Sequence, residues 1–513
     1  MWLINYQGVA VHVVGDLLAN EAEVRAAAIA AADISDAVRA IGAVFYRSGY
    51  PATLLTYAVA DDRDLYVRVV AGKVAEIDGA ESLKPYFRSL VSDRPLREAA
   101  LERARALGDS FSERAGENYQ PSFRPLGPDS VALDLGSPSA GNEQLALAAD
   151  FNNSGNRYAG PYLADLSVRQ SLGSGDEVTL GGSTSVNVFD IGGGDSRPYH
   201  EGDGSWSRVT RYGVFGVEGR YAAFGQDVQG IRLDGRLSSA AASWLLPLYA
   251  DFDHRVLLQT RVDRSDENVD ARLLDPAAPP PPLSIANLLR ILGLTTAPVT
   301  RAEVLSELYN SAEIDLSGVA RLDLGDHPLE LNAGIALRKG LSDSGNAQSA
   351  ASLSYFLLRP NLSLRYSFAS QWDAVADVKA QLGNSVVPQL EQFVIGGPTS
   401  LHAYDTGVGI GDHGEDAHVG VEWHGRDDSF AARYSIKPRA FVEYGAAKLE
   451  RSALDETAGS VKLADIGLSL EAKPISAITT TLSVAQSIYS HGDQNGPVGD
   501  SRKYFFFQIA GRY

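Results

Sequence analysis

Cysteine is absent from all 513 residues. A thiol-free chain suits an oxidising envelope compartment, where stray thiols would cross-link, although cytosolic chains also lack them. Positive charge is scarce: 45 lysines and arginines face 64 aspartates and glutamates, for a formal net charge of -19. Nucleic acid needs the opposite balance to release its counterions, so that partner is set aside. Long hydrophobic runs are missing too. The richest candidate, Val24 to Tyr46, is broken by Arg25, Asp33, Asp36 and Arg39, which excludes a helical membrane protein. Met1 to Val14 lacks the basic start, apolar centre and small-residue cleavage site of a secretory leader, so an export signal upstream of Met1, or an internal start, is expected. No G-x-S-x-G, H-E-x-x-H or P-loop occurs, and nothing points to an enzyme, a catalytic residue, a cofactor or a metal centre.

What the chain has is glycine, 50 residues of it, and 22 tyrosines, over a length too great for one ordinary soluble core. Two grammars divide it near Gly136-Ser137-Pro138-Ser139. The first half mixes strands and helices. Val9 to Val14 reads as a strand, Asn20 caps a helix through Ala32, Ser35 caps a second through Ser48, and Gly49 stops it. Strands Ala52 to Val59 and Asp64 to Val70 complete a β-α-α-β-β order. That order recurs with Lys73 to Ile77, helices Ser82 to Val91 and Arg97 to Arg114, then strands Tyr119 to Pro125 and Ser130 to Leu135. The repeat, of about 70 residues, gives two small α+β domains, 1–72 and 73–138. On pattern alone their purpose stays open.

From residue 139 onward the period is two. Leu329, Leu331, Ala333, Ile335 and Leu337 alternate with Glu330, Asn332, Gly334, Ala336 and Arg338, and Ile314 to Leu324 alternates likewise, with Val319 the only exception. A soluble sandwich hides such faces in a core, whereas a membrane barrel turns them to lipid. Three features favour the barrel. The chain ends on Tyr504 to Tyr513, with Phe505, Phe507, Ile509 and Tyr513 on one face, a closing strand suited to lipid. Residues 139–513 supply roughly 23 residues for each of 16 antiparallel strands. Loops are uneven, the longest running from Asp270 to Thr300 through Pro279 to Pro282, and it is expected outside the cell.

Gln392 to Tyr404, with Gly396, Gly397, Ser400, Leu401, His402 and Ala403, resembles the sixth extracellular loop of the Omp85 superfamily, EQF-x-x-GG-x-x-S-V-R-G-Y/F. In that family the loop folds into the lumen and its arginine pairs with the aspartate of an F-x-D-x-G strand, which Phe441-Val442-Glu443-Tyr444-Gly445 resembles. Asp150 to Asn153, Gly160 and Leu172-Gly173-Ser174-Gly175-Asp176 are similar to the barrel start of TpsB transporters, and Phe45-Tyr46-Arg47-Ser48-Gly49-Tyr50 to the Y-x-x-x-G-Y of a POTRA domain. The whole chain thus resembles a TpsB transporter of two-partner secretion, the haemolysin secretion and activation type. Two POTRA-like domains precede one barrel, unlike the five of BamA assembly factors.

The resemblance implies an outer-membrane pore in a Gram-negative bacterium, embedded in lipid and lipopolysaccharide as a monomer. POTRA domains in the periplasm would capture an unfolded TpsA-like exoprotein, and the barrel would pass it outward without ATP. A plug helix common in the family is expected to precede Met1 with the signal. An outer-membrane assembly factor and a passive porin are the alternatives. The chain departs from the family at His402, Ala403 and Glu443, which replace arginine, glycine and aspartate. Histidine is only partly charged near neutrality and grips less firmly than a guanidinium, while glutamate's extra methylene could restore reach, so a His402 to Glu443 contact is expected in the lumen.

Gly409-Ile410-Gly411-Asp412-His413-Gly414 spells a dinucleotide fingerprint, but alternating Val419, Val421 and Trp423 place a strand, not a helix, after it. Asp412, His413, Glu415, Asp416 and His418 read as a solvated acidic loop. Glu313, Asp315, Arg321 and Arg338 read as hydrated lumen wall.

Overall fold

A computed structural model describes residues 1–7, 9–59, 64–137, 139–140, 144–155, 162–186, 198–228, 231–273, 301–325, 327–341, 346–347, 351–425, 434–450, 459–492 and 503–512. Pro279 to Pro282, Gly160 and Tyr513 fall outside them.

A strand too short to show in the periodicity, Trp2–Tyr6, opens the chain and pairs antiparallel with Val9–Gly15. Helices Glu21–Ala30 and Ile34–Arg47 follow. Asn20 caps the first by accepting the Ala22 N–H. The second is capped not by Ser35 but by Asp33, which accepts the Asp36 N–H at 2.8 Å, since aspartate serves as well as serine there. Gly49, at φ 89°, ends it in a left-handed conformation. The sheet runs Trp2–Tyr6, Val9–Gly15, Leu65–Ala71, Thr53–Val59, with its central pair parallel. Val11, Val13, Ile41, Phe45 and Val67 fill its core.

A second sheet orders Lys73–Asp78, Ser130–Asp134 and Ser122–Pro125, backed by Lys84–Phe87 and Glu98–Ala115. Leu83, Phe87, Leu101, Val131 and Leu133 pack between them. Ser139–Ala140 pairs back onto Glu117–Asn118, and the barrel wall starts only at Leu145.

Sixteen antiparallel strands close the barrel. They are β1 (Leu145–Asn152), β2 (Leu163–Ser171), β3 (Asp176–Ser185), β4 (Tyr199–Thr210), β5 (Gly213–Val228), β6 (Ile231–Ala250), β7 (His254–Leu273) and β8 (Arg301–Leu324). After them come β9 (His327–Gly340), β10 (Phe356–Ala369), β11 (Trp372–Gly383), β12 (His413–Trp423), β13 (Lys437–Leu449), β14 (Gly459–Ile475), β15 (Ile478–Gly492) and β16 (Lys503–Arg512). Closure pairs β16 with β1, Phe151 opposite Ile509 and Ala148 opposite Arg512. The alternation now has a direction. Ile314 and Leu316 sit opposite Leu337 and Ile335, and all four stay exposed on the outside, as do Leu468 and Phe505. So continuous an apolar exterior is a surface for lipid, with the polar partners lining the bore. At 20, 20 and 24 residues, β6, β7 and β8 outrun the ~10-residue bilayer span.

The N-terminal region stands on three barrel turns. The Tyr86 hydroxyl donates to the Val209 carbonyl at 3.2 Å, and Arg114 to the Gly175 carbonyl at 3.3 Å. In Leu172-Gly173-Ser174-Gly175-Asp176 both glycines have positive φ, and a Cβ on Gly175 would stand 2.7 Å from Phe111 Cδ2, so this turn needs glycine both for its bend and for its seat. Beyond β6, Tyr46 stacks on Phe252 with ring centroids 5.3 Å apart, and Glu98 accepts the Phe252 N–H at 2.9 Å.

Candidate functional site

The segment between β11 and β12 turns inward and fastens to the lumen wall at two places. Phe393–Ile395 pairs with Gly409–Gly411 as a small hairpin. Gly396 and Gly397, at φ 95° and 84°, then reverse the chain in a conformation side chains resist, and the Gly397 N–H donates to the Tyr404 carbonyl at 2.9 Å to close the tip.

At its base the segment is held by charge. Glu391 receives Arg338 through two bonds of 2.7 Å and Arg359 through one of 2.9 Å. The same Arg338 guanidinium grips Asp263 through two bonds of 2.9 Å. Four of its five donors are thus spent on two carboxylates, the forked geometry that suits arginine. Arg338 is therefore not hydrated wall, as the alternation suggested, but the centre of a buried ion cluster; Arg321 does remain exposed, 3.3 Å from Glu330.

At its tip the segment meets β13, β14 and β15. His402 Nδ1 lies 2.9 and 3.0 Å from the two oxygens of Glu443, and the His402 backbone N–H donates to the same carboxylate at 2.8 Å. The imidazole packs on Phe441 with centroids 4.8 Å apart. Ala403 N–H donates to Asp465 at 2.7 Å, an aspartate the motif did not reveal. The Tyr404 hydroxyl reaches the Tyr489 carbonyl at 2.7 Å and the Ser487 hydroxyl at 2.6 Å. The β14–β15 register shifts there, Asp465 facing Ser487 but Ala464 facing Tyr489, and such a bulge frees backbone groups for an outside partner. Leu401 is fully buried beside Ile395, Val461 and Leu463. A Cβ on Gly445 would stand 2.6 Å from Leu401 Cδ1. Phe441, Glu443 and Gly445, two apart on one strand, hence face the loop as ring, carboxylate and gap. Ser400 is buried at the tip beside Thr399, whose carbonyl accepts Lys379 at 3.1 Å.

His418, on β12, places Nδ1 2.6 Å from Glu443 and Nε2 3.4 Å from Arg439. Asp412, fully buried, accepts the Val387 and Glu450 N–H groups at 2.8 Å each. These residues and Asp416 belong to the strand His413–Trp423 or its entry, so the solvated acidic loop expected from their crowding is replaced by inward carboxylates with fixed partners. Gly409–Gly411 runs into this strand, with no helix after it. At the seam, Phe505 and Ile509 face outward and Phe507 packs on Phe151 with centroids 5.6 Å apart. Beneath the tip lies a cavity of about 470 Å³ lined by Lys379, His402, His418, Arg439, Glu443 and Glu471 among others. Sequence reasoning missed Glu391, Asp263, Asp465 and His418 as partners. Only Glu391, next to Gln392, lay within a motif.

No protein-family model and no curated protein sequence matches the chain. Solved structures do. CdiB from Escherichia coli superposes with a TM-score of 0.66 at 14% identity, covering 100% of this chain and 91% of that one. CdiB from Acinetobacter baumannii gives 0.64 at 12% identity, over 100% and 90%. BamA from Haemophilus ducreyi lacking POTRA domains 1-3 gives 0.53 at 14% identity, over 100% of both chains. The chain shares its fold with these proteins from end to end.

Proposed function

We propose that the chain is an outer-membrane transporter of the TpsB type, in the Omp85 superfamily, which passes an unfolded TpsA-like exoprotein from the periplasm to the cell surface. The observation that carries this reading is the full-length likeness to CdiB, a TpsB-type transporter, in a chain whose barrel bore is occupied by an inserted loop and whose mouth carries two α/β units. Residues 1–72 and 73–138 are read as POTRA domains in the periplasm. The edge strand Thr53–Val59 leaves Tyr57 and Val59 exposed, and an extended client could add a strand there through backbone hydrogen bonds that demand no single sequence. Loop residues 396–404 with Phe441, Glu443 and Gly445 are read as the gate, and Phe505, Phe507, Ile509 and Tyr513 as the signal that closes the barrel. Lipid and lipopolysaccharide surround it, and it acts as a monomer.

The likeness to BamA favours a second reading, an assembly factor that inserts other barrels. Co-expression with a candidate exoprotein separates the two. Secretion that depends on this barrel and on residues 1–138 supports the transporter. Retention of the exoprotein, with general loss of outer-membrane proteins when the chain is removed, overturns it in favour of the assembly factor. A pore that works without residues 1–138 and secretes nothing supports a porin.

A further inference from the structure

We propose that the outer wall over β6 to β9 is a docking site for the phosphorylated sugar head of lipopolysaccharide, with Arg236, Arg264 and Lys339 as its cations. The site rests on the outer-membrane placement given above. Strand parity sets the direction of these side chains. On β9, Lys339 follows the outward run Leu329, Leu331, Ala333, Ile335 and Leu337. On β7, Arg264 follows Leu258 and Val262, of which Leu258 sits opposite the exposed Leu316 and Val262 is itself exposed. On β6, Arg236 shares its face with Ala242, which sits opposite the exposed Val217 and Val262. All three cations are exposed. Each stands about 10–14 residues from the periplasmic end of its strand, at Ala250, His254 or His327, where a ~10-residue bilayer span has run out. Aromatics mark the same level, as they do in the girdle of a membrane barrel. Phe356, 40% exposed, sits opposite Lys339, and Tyr221, 52% exposed, sits opposite Ser238, one outward step from Arg236.

What singles these cations out is that they are unmatched. Among the described residues none of the three makes an ion pair or a side-chain hydrogen bond, in a chain whose formal net charge is -19. The carboxylates nearby are taken. Asp234 holds Arg232 at 3.0 Å and Arg272 at 3.1 Å, and Asp266, on the same face of β7 as Arg264, accepts the Asn268 amide at 2.6 Å. Neighbouring strands lie about 4.8 Å apart, so the three cations span roughly 14 Å around the barrel, the scale of a disaccharide with a phosphate at each end. A guanidinium grips phosphate through paired N–H donors, and an ammonium meets it as a point charge. The anion missing from the protein is thus supplied by the lipid. Elsewhere in the belt the charges are mixed: Lys448 pairs with Glu450 at 3.8 Å, and the exposed Lys462 on β14 shares its row with Glu415 on β12.

Native mass spectrometry of the purified full chain, titrated with deep-rough lipopolysaccharide, provides the test. Heat-modifiable gel mobility first confirms the folded barrel, so a failure of the barrel reading is seen separately. The wild type should hold one lipopolysaccharide molecule. A cation beside a charged lipid surface is worth about fivefold, so Arg236→Gln, Arg264→Gln and Lys339→Gln should each weaken binding about fivefold and the triple variant roughly a hundredfold. Lys462→Gln should leave it unchanged. Lipopolysaccharide stripped of its phosphates should bind the wild type as weakly as the intact lipid binds the triple variant. A folded triple variant that binds like the wild type, a Lys462→Gln loss equal to that of the single variants, or equally tight binding of phosphatidylglycerol overturns the proposal.

Discussion

Arg338→Ala is the sharpest test of how the loop is anchored. The substitution removes four hydrogen bonds of 2.7 to 2.9 Å and leaves Asp263 and Glu391, both buried, without their shared cation. Breaking a buried ion pair from one side costs about 3–5 kcal/mol. Partial relief remains, because Arg359 stays 2.9 Å from Glu391 and the Ser311 hydroxyl 2.8 Å from Asp263. The lower end applies, about 3 kcal/mol, or roughly 150-fold in the ratio of seated to released loop. Arg338→Lys keeps the charge but not the fork and should lose about half as much. Chymotrypsin reads the outcome cleanly. Residues 384–412 contain no lysine or arginine but offer Phe393, Leu401 and Tyr404, so cleavage there reports release while trypsin serves as a control for the rest of the chain. An Arg338→Ala barrel that is folded, yet cut at the wild-type rate, would refute the anchoring argument.

Gly445→Val forces a branched side chain against Leu401 and should cost about 1–3 kcal/mol, with chymotrypsin cutting the valine variant fastest, Gly445→Ala next and the wild type slowest; equal rates would show that the gap is incidental. Tyr404→Phe removes the hydroxyl from the β15 bulge and should lower loop stability by about 1 kcal/mol, visible as a severalfold rise in the same cleavage. At the joint with the barrel, burial pushes the Glu98 carboxyl up, and nearby Asp251, Glu102 and Asp253 add to that against the Phe252 N–H. Because the docked carboxyl holds its proton more firmly than a free one, docking is strongest below about pH 4 and weakens as pH rises through the raised value. Glu98→Gln should therefore protect the turn at 251–253 from hydrogen exchange at neutral pH as well as acid protects the wild type, and protection that falls instead would reverse the sign.

Much of the fold was legible because it rests on local rules. Alternation at Leu329 to Leu337 reports a wall with unlike sides, and strand number follows from length. What alternation cannot supply is the assignment of sides, since lipid and a protein core select the same residues; the outward exposure of Ile335 and Leu337 supplies it. Trp2–Tyr6 does not show in the periodicity because five residues hold too few periods, and Ser35 and Asp33 suit a cap equally, so the sequence alone does not choose between them. For the site, glycines and aromatics were visible as a spaced motif around Gly396 and Tyr404. Asp263, Arg338 and Asp465 were not, because their partners lie scores of residues away and a charge on a strand gives no sign of whether water or another side chain will face it. Only the register across β7 to β9 and β13 to β15 brings them together.

The footing of the N-terminal region is lopsided. Its contacts described above fall on the turns after β2, β4 and β6, none on those after β10, β12 or β14. Toward that uncovered half run Lys437, Glu471 and Thr481, all lining the cavity that leads up to Pro398 and Thr399 at the loop tip. The mouth is thus built like a doorway with its post to one side. On the transporter reading proposed above, a client handed on from the α/β units would enter along that open flank and meet the loop tip first.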